Sequence, residues 1–147
     1  GQDLAQSVTT FQTAFECSSQ FRLIQISCHY ELGWCHYLRL DWDAAIQSFE
    51  TFLKENRTTN FRAFCGYQLG VCYLMTGDLQ KALQIFHKVP GWVRKHFTYD
   101  QFAARKSLEY SSAEVPAAEK DLILASILVE GRQFDQAQEI LSQLPTN

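Results

Sequence analysis

The sequence predicts an all-α array of antiparallel helix pairs, and three observations carry that expectation. Apolar residues recur at helical spacing along most of the chain. One segment repeats itself at a constant offset. Helix breakers are scarce, with three prolines and seven glycines among 147 residues, so long helices face few interruptions. Apolar residues make up 46% and charged residues 20%, a globular composition with enough material for one core. The chain is therefore expected to form a single domain over residues 1–147.

The elements follow in chain order. Leu4, Val8, Phe11 and Phe15 form one apolar stripe, which predicts an unpaired helix over 3–20. A first helix pair is expected over 22–56, its second helix marked by Ala45, Ile46, Phe49, Phe52 and Leu53. A second pair is expected over 59–90, with Leu79, Ala82, Leu83 and Phe86 on one face. A segment over 91–112 departs from the pattern and holds one inserted helix. A third pair is expected over 115–145, carried by Phe134, Ala137, Ile140, Leu141 and Leu144.

The repeat is visible when CHYELGWCHYLRLDWDAAIQSFETFL is laid on CGYQLGVCYLMTGDLQKALQIFHKVP. Cys28 then matches Cys65, Gly33 matches Gly70, Cys35 matches Cys72, Asp41 matches Asp78, Ala45 matches Ala82 and Phe49 matches Phe86, always 37 residues apart. A weaker third copy begins at Asp121, with Ala125 at the glycine position and Ala137 at the alanine position. Gly33 and Gly70 are expected to let two helices approach closely, and Phe49 and Phe86 to fill grooves between neighbouring pairs. Gly77 and Asp78 are expected to end one helix left-handed and cap the next, with Asp41 capping at the equivalent place.

The doubled Cys-His pair in CHYELGWCHY raises the question of a metal site. Residues seven apart on a helix are separated by roughly 10 Å, whereas zinc ligands lie within about 2.3 Å of the ion. Cys28 and Cys35 therefore cannot share a metal, and neither can His29 and His36. The cysteines are expected to be small buried hydrophobes, reduced because the five thiols are an odd number and no secretory signal is visible. A metal or redox role is the alternative. No metal and no cofactor are expected.

The Leu-Gly, Ala and Phe spacing resembles the tetratricopeptide repeat, whose pairs of antiparallel helices stack in about 34-residue units. More specifically, YELGWC, SFETFLKEN and the helix FAARKSLEY, Phe102 to Tyr110, resemble the tetratricopeptide repeat protein 39 family and its fungal relatives, the inclusion-body clearance proteins. The resemblance spans about Leu23 to Tyr110. It implies a right-handed superhelical solenoid and a non-catalytic scaffold or adaptor, cytoplasmic or at an organelle surface. It also implies that the first helix of each pair lines a concave groove. Tyr30, Trp34 and Tyr37 from the first pair and Phe64, Tyr67, Val71 and Leu74 from the second then form a partner-binding face, continued by Leu122, Ser126 and Val129. That face is aromatic and nearly uncharged. Tyr30, Trp34 and Tyr67 stand where a clamp for the acidic tails of chaperones would need Lys, Arg or Asn, so no such clamp is expected.

An apolar groove is expected either to be filled by the chain itself, through the inserted helix or flanking segments, or to receive an amphipathic helix or apolar peptide. A lipid or apolar-ligand module, with a role in lipid homeostasis or inclusion clearance by the family resemblance, is the alternative. Arg94, Lys95, Arg105 and Lys106 form a modest basic cluster, read mainly as a solvated face and secondarily as an anionic contact. A net charge of −3 argues against nucleic acid, which needs a basic face. No phosphate loop, GxSxG or HExxH motif is present, so the chain is expected not to be an enzyme. Unpaired end helices would expose apolar surface, and the sequence leaves self-association through them open.

Overall fold

The structure, a computed structural model, describes residues 5–8, 10, 22–57, 61–94, 98–112 and 117–145. Residues 5–8 and 10 are helical; the rest of the helix expected over 3–20 lies outside the described residues. From there the chain runs through α1 (Arg22–Leu38), α2 (Trp42–Glu55), α3 (Arg62–Thr76) and α4 (Leu79–Lys88). A short 3-10 turn (Val89–Trp92) leads to α5 (Thr98–Ser112), α6 (Ala117–Glu130) and α7 (Phe134–Ser142). Among the described residues there is no strand. Consecutive helices pack on one another, α1 on α2, α2 on α3, α3 on α4 and α6 on α7, as a helical-repeat array requires.

Three hairpins turn in the same way, and their backbone hydrogen bonds show it. Leu40 N–H donates to Tyr37 O (3.0 Å) and Asp41 N–H to His36 O (2.9 Å). Gly77 N–H donates to Leu74 O (3.2 Å) and Asp78 N–H to Tyr73 O (2.9 Å). Arg132 N–H donates to Val129 O (3.0 Å) and Gln133 N–H to Leu128 O (2.8 Å). Each is the paired closure of a Schellman motif, which needs a left-handed residue just past the helix. The φ angles at those positions are +62° for Leu40, +88° for Gly77 and +61° for Arg132. The next helix then starts alike in all three, with Ala45, Ala82 and Ala137 donating to Asp41, Asp78 and Gln133 carbonyls. The weak third copy thus shares the turn of the other two, although Leu141, at the position of Phe49 and Phe86, is exposed.

Only the second turn has the residue that this conformation favours. A left-handed φ costs an L-residue roughly 1–2 kcal/mol relative to glycine. Arg132 is exposed, so Arg132→Gly is expected to raise stability by about 1 kcal/mol, and Gly77→Ala to lower it by about the same. Urea denaturation checks both. Leu40→Gly should gain less, because Leu40 packs against the core and its side chain would be lost.

Capping differs between the equivalent aspartates. The Asp78 carboxylate accepts from Lys81 N–H at 3.2 Å, as expected for an N-cap. Asp41 occupies the N-cap of α2 but its side chain makes no capping bond; it lies 4.0 Å from His36 instead. The expected cap at Asp41 is therefore not formed. His36 is buried, and that burial holds its pKa below the ordinary value, against the opposing pull of Asp41.

Close approach of the paired helices rests on glycine. A Cβ on Gly33 would lie 2.6 Å from the Phe49 ring, and one on Gly70 would lie 2.3 Å from the Phe86 ring. Each phenylalanine therefore sits on the glycine of its own pair, rather than only between pairs. Phe49 also faces the following pair, where the Cys65 thiol contacts its carbonyl at 3.9 Å. Gly66 receives the 3-10 turn, with Trp92 and Val89 where a Cβ would stand. Arg62 stacks 4.2 Å over Trp92 and donates to the Leu53 (2.8 Å) and Asn56 (3.2 Å) carbonyls. One side chain so ties the end of α2, the start of α3 and the 3-10 turn together. The Tyr73 hydroxyl donates to the Glu50 carboxylate, joining α3 to α2.

The inserted helix α5 does not project from the array. It packs on α3, α4 and the 3-10 turn, while α6 returns to contact α1. Helices α1, α3, α5 and α6 therefore surround a common centre. At the far end, α7 leaves Phe134 and Leu141 exposed.

Candidate functional site

The aromatic face expected from the sequence is present, and the structure divides it into a buried part and an open part. Tyr30, Tyr37, Tyr67, Val71 and Leu74 are buried in the core. Trp34 and Phe64 are half-buried against it. Leu122, Ser126 and Val129 are exposed on α6. The rings form a continuous strip. Phe61 stacks on Tyr30 (centroids 5.2 Å apart), Tyr30 meets Trp34 (6.2 Å), and Trp34 stacks on Phe64 (5.6 Å). Phe64 then meets Tyr99 edge-on at 5.5 Å. The two ends of this strip stand in solvent, Phe61 being 55% and Tyr99 71% exposed. Neither end was singled out from sequence: Phe61 precedes a helix start, and Tyr99 belongs to the inserted segment.

Beyond Phe64 the strip turns inward. Tyr67 meets Phe102 edge-on at 5.6 Å and stacks with Tyr110 at 6.4 Å. Phe102 and Tyr110 come from α5. The inserted helix thus covers Tyr67, which fits the expectation that part of the groove is filled by the chain itself. A cavity of about 340 Å³ remains between α1, α3, α5 and α6, with Tyr37, Tyr67, Phe102, Tyr110, Ile123 and Ile127 among its walls. Its polar lining comes from Gln68, Lys106, Glu119, Ser126 and Glu130.

The buried phenols of this centre are neutral. Burial raises the phenol pKa values of Tyr30, Tyr37 and Tyr67 well above their ordinary value, and that of Tyr110 to about 12. The hydroxyls therefore stay protonated donors. Burial also raises the Glu130 carboxyl. The four described thiols, Cys28, Cys35, Cys65 and Cys72, are all buried and unbonded. Burial pushes each of their pKa values up, which disfavours the nucleophilic thiolate. Among the described residues, no three His, Cys, Asp or Glu side chains gather as metal ligands, and no helix is long and apolar enough to cross a membrane.

The described residues of the expected basic cluster each make a contact of their own. Arg94 uses its backbone N–H to hold the buried Asp100 carboxylate at 3.0 Å. Arg105 lies over the Phe102 ring at 5.6 Å. Lys106 pairs with Glu109 at 3.4 Å and lines the cavity. Lys95 lies outside the described residues.

The family model for Iml2/Tetratricopeptide repeat protein 39 matches residues 1–131. The chain belongs to the Iml2/Tetratricopeptide repeat protein 39 family. The family match takes in the aromatic strip, the inserted helix and α6, and it ends at Gly131, at the turn before α7. No solved structure matches the chain significantly. The helix carrying FAARKSLEY, on which the resemblance to this family rested in part, is α5, the element that closes the centre of the array.

Proposed function

We propose that this member of the Iml2/Tetratricopeptide repeat protein 39 family is a non-catalytic scaffold that binds an apolar or amphipathic helix or peptide along the open aromatic strip. One observation carries the reading: Phe61, Tyr30, Trp34, Phe64 and Tyr99 form a run of touching rings, buried at Tyr30, whose two ends stand in solvent. Contiguous exposed aromatic surface is uncommon on a free protein and common at binding hot spots. Of the residues expected to form the groove, Trp34 and Phe64 would contact the partner. Tyr30, Tyr37, Tyr67, Val71 and Leu74 would support them from below. A cavity of about 340 Å³ is too small to take a helix about 10–12 Å across, so the partner would lie along the strip. Four buried thiols without a disulfide suit a reducing compartment such as the cytosol.

Affinity capture from a cytosolic extract tests this reading. The triple variant Phe61→Ser, Trp34→Ala, Tyr99→Ser is expected to lose specific captured partners by about tenfold or more. Its helical circular dichroism should remain, because Phe61 and Tyr99 are exposed and Trp34 is only partly buried. Unchanged capture by a folded variant would remove the strip as the binding face. Sedimentation of the same samples would show whether the exposed Phe134 and Leu141 end of α7 self-associates.

A further inference from the structure

The central cavity has a lining of two kinds, of which the scaffold reading uses only Phe64 for contact with a partner. Five aromatic side chains line it: Tyr37, Phe64, Tyr67, Phe102 and Tyr110. Four of them form one patch. Phe64 lies 6.0 Å from Tyr67 and 6.5 Å from Phe102, and Tyr67 lies 5.6 Å from Phe102 and 6.4 Å from Tyr110. Helix α6 contributes two carboxylates to the same lining, Glu119 and Glu130. Among the described residues neither has an ion-pair partner. Both act on the aromatic patch. Burial first, and then the charge of Glu130, raises the phenol pKa values of Tyr37 and Tyr67, while Glu119 adds to the rise that burial causes at Tyr110.

We propose that this cavity binds a small organic cation, a methylated ammonium, on its aromatic wall, with Glu119 and Glu130 as counter-charges. The face of an aromatic ring is negative, and it attracts a cation within about 6 Å of its centroid. Two carboxylates without a partner add to that attraction. The same rings already hold cations from the chain itself: Lys106 Nζ lies 5.8 Å over Tyr110, and the Arg105 guanidinium 5.6 Å over Phe102. Lys106 is the one basic residue among the described lining residues, and Glu109 engages it at 3.4 Å, so the lining keeps a negative excess. An anion would meet Glu119 and Glu130 with like charge. A methylated ammonium suits the site better than a bare one, because its methyl groups match the apolar lining from Ile123 and Ile127. At about 340 Å³, the cavity lies at the small end of the roughly 300–1,000 Å³ range of ligand pockets, which fits a free small molecule. A phospholipid headgroup would bring its phosphate toward the two carboxylates. The site shares Phe64 with the open strip but would stand if the strip bound nothing.

The test titrates choline into the full chain and follows ¹H–¹⁵N correlation spectra, with 3,3-dimethyl-1-butanol, the uncharged carbon isostere of choline, as the comparison. Choline is expected to give saturable shifts at backbone amides of the lining residues and to bind at least about tenfold more tightly than the isostere. Glu130→Gln should weaken choline by about fivefold or more, and Lys106→Met, which removes the competing cation, should tighten it by about threefold or more. A purely structural role would not make these two substitutions act in opposite directions. Glu130 is exposed, so its variant should keep its helical circular dichroism; if it unfolds, Lys106→Met decides alone. The proposal is overturned if no saturable shift appears up to about 10 mM choline. It is equally overturned if the isostere binds as well, if the shifts map away from the cavity, or if Lys106→Met fails to tighten binding. Phosphatidylcholine vesicles separate a headgroup from a free cation: flotation of the protein with them, without shifts from choline, would also overturn it.

Discussion

Phe86→Ala is expected to cost about 3–5 kcal/mol of folding stability, the range for emptying a well-packed phenylalanine site. Phe86 is 1% exposed. Its ring sits against the bare Cα of Gly70, meets Tyr110 edge-on at 5.8 Å and lies 6.4 Å from Tyr67. It therefore joins three elements, α3, α4 and α5, and each aromatic pair adds roughly 0.5–1.5 kcal/mol beyond its buried area. A domain of this size is stable by about 5–15 kcal/mol, so the loss would approach global unfolding at 37 °C. Urea denaturation followed by circular dichroism gives the number. Phe61→Ala serves as the comparison: at 55% exposure it should cost less than about 1 kcal/mol. Phe49→Ala, the same seat one hairpin earlier on Gly33, should behave like Phe86→Ala. Equal costs for Phe61→Ala and Phe86→Ala would mean that the pairs are not held together by these rings.

How much of this was legible in the sequence depends on whether a residue type has only one plausible use. Glycine opposite phenylalanine at a fixed repeat offset has few uses besides close packing, and Gly33–Phe49 and Gly70–Phe86 are both in contact. Gly77 announced its left-handed turn for the same reason. Leu40 and Arg132 adopt that conformation too, but neither residue favours it, so only the repeat register could have pointed to them. The Asp41 cap was read from its match to Asp78 in the repeat, whereas a cap depends on the side chain's reach to a particular N–H, and Asp41 makes no such bond. Helical periodicity identified the aromatic face without showing what covers it. The covering elements, α5 and α6, reach it through tertiary contacts that no local pattern encodes. Gln68 was invisible in the same way: a lone amide in an apolar helix reads as surface until its neighbours are known.

Gly70→Ala is the sharper test of helix spacing, because two effects of opposite sign meet there. Alanine is favoured over glycine in a helix interior by about 0.8–1 kcal/mol, so a loosely packed site would be stabilised. Here the new methyl would lie 2.3 Å from Phe86 Cε1 and 2.7 Å from both Cδ1 and Cζ. Real Cβ atoms do not tolerate such distances, and the ring has Tyr67 and Tyr110 against it. Overpacking of this kind costs about 1–3 kcal/mol, so it should win and leave Gly70→Ala destabilised by roughly 1–2 kcal/mol after the propensity gain. Gly91→Ala is the control, with nothing within 4 Å of its added Cβ. The double variant Gly70→Ala, Phe86→Leu should lose less than the sum of the two single changes, because the smaller side chain makes room for the methyl. A coupling of at least about 1 kcal/mol in that cycle is expected for residues in direct contact. If Gly70→Ala instead raised the urea midpoint, helix propensity would have prevailed, and α3 and α4 would have to stand farther apart than a glycine-seated phenylalanine allows.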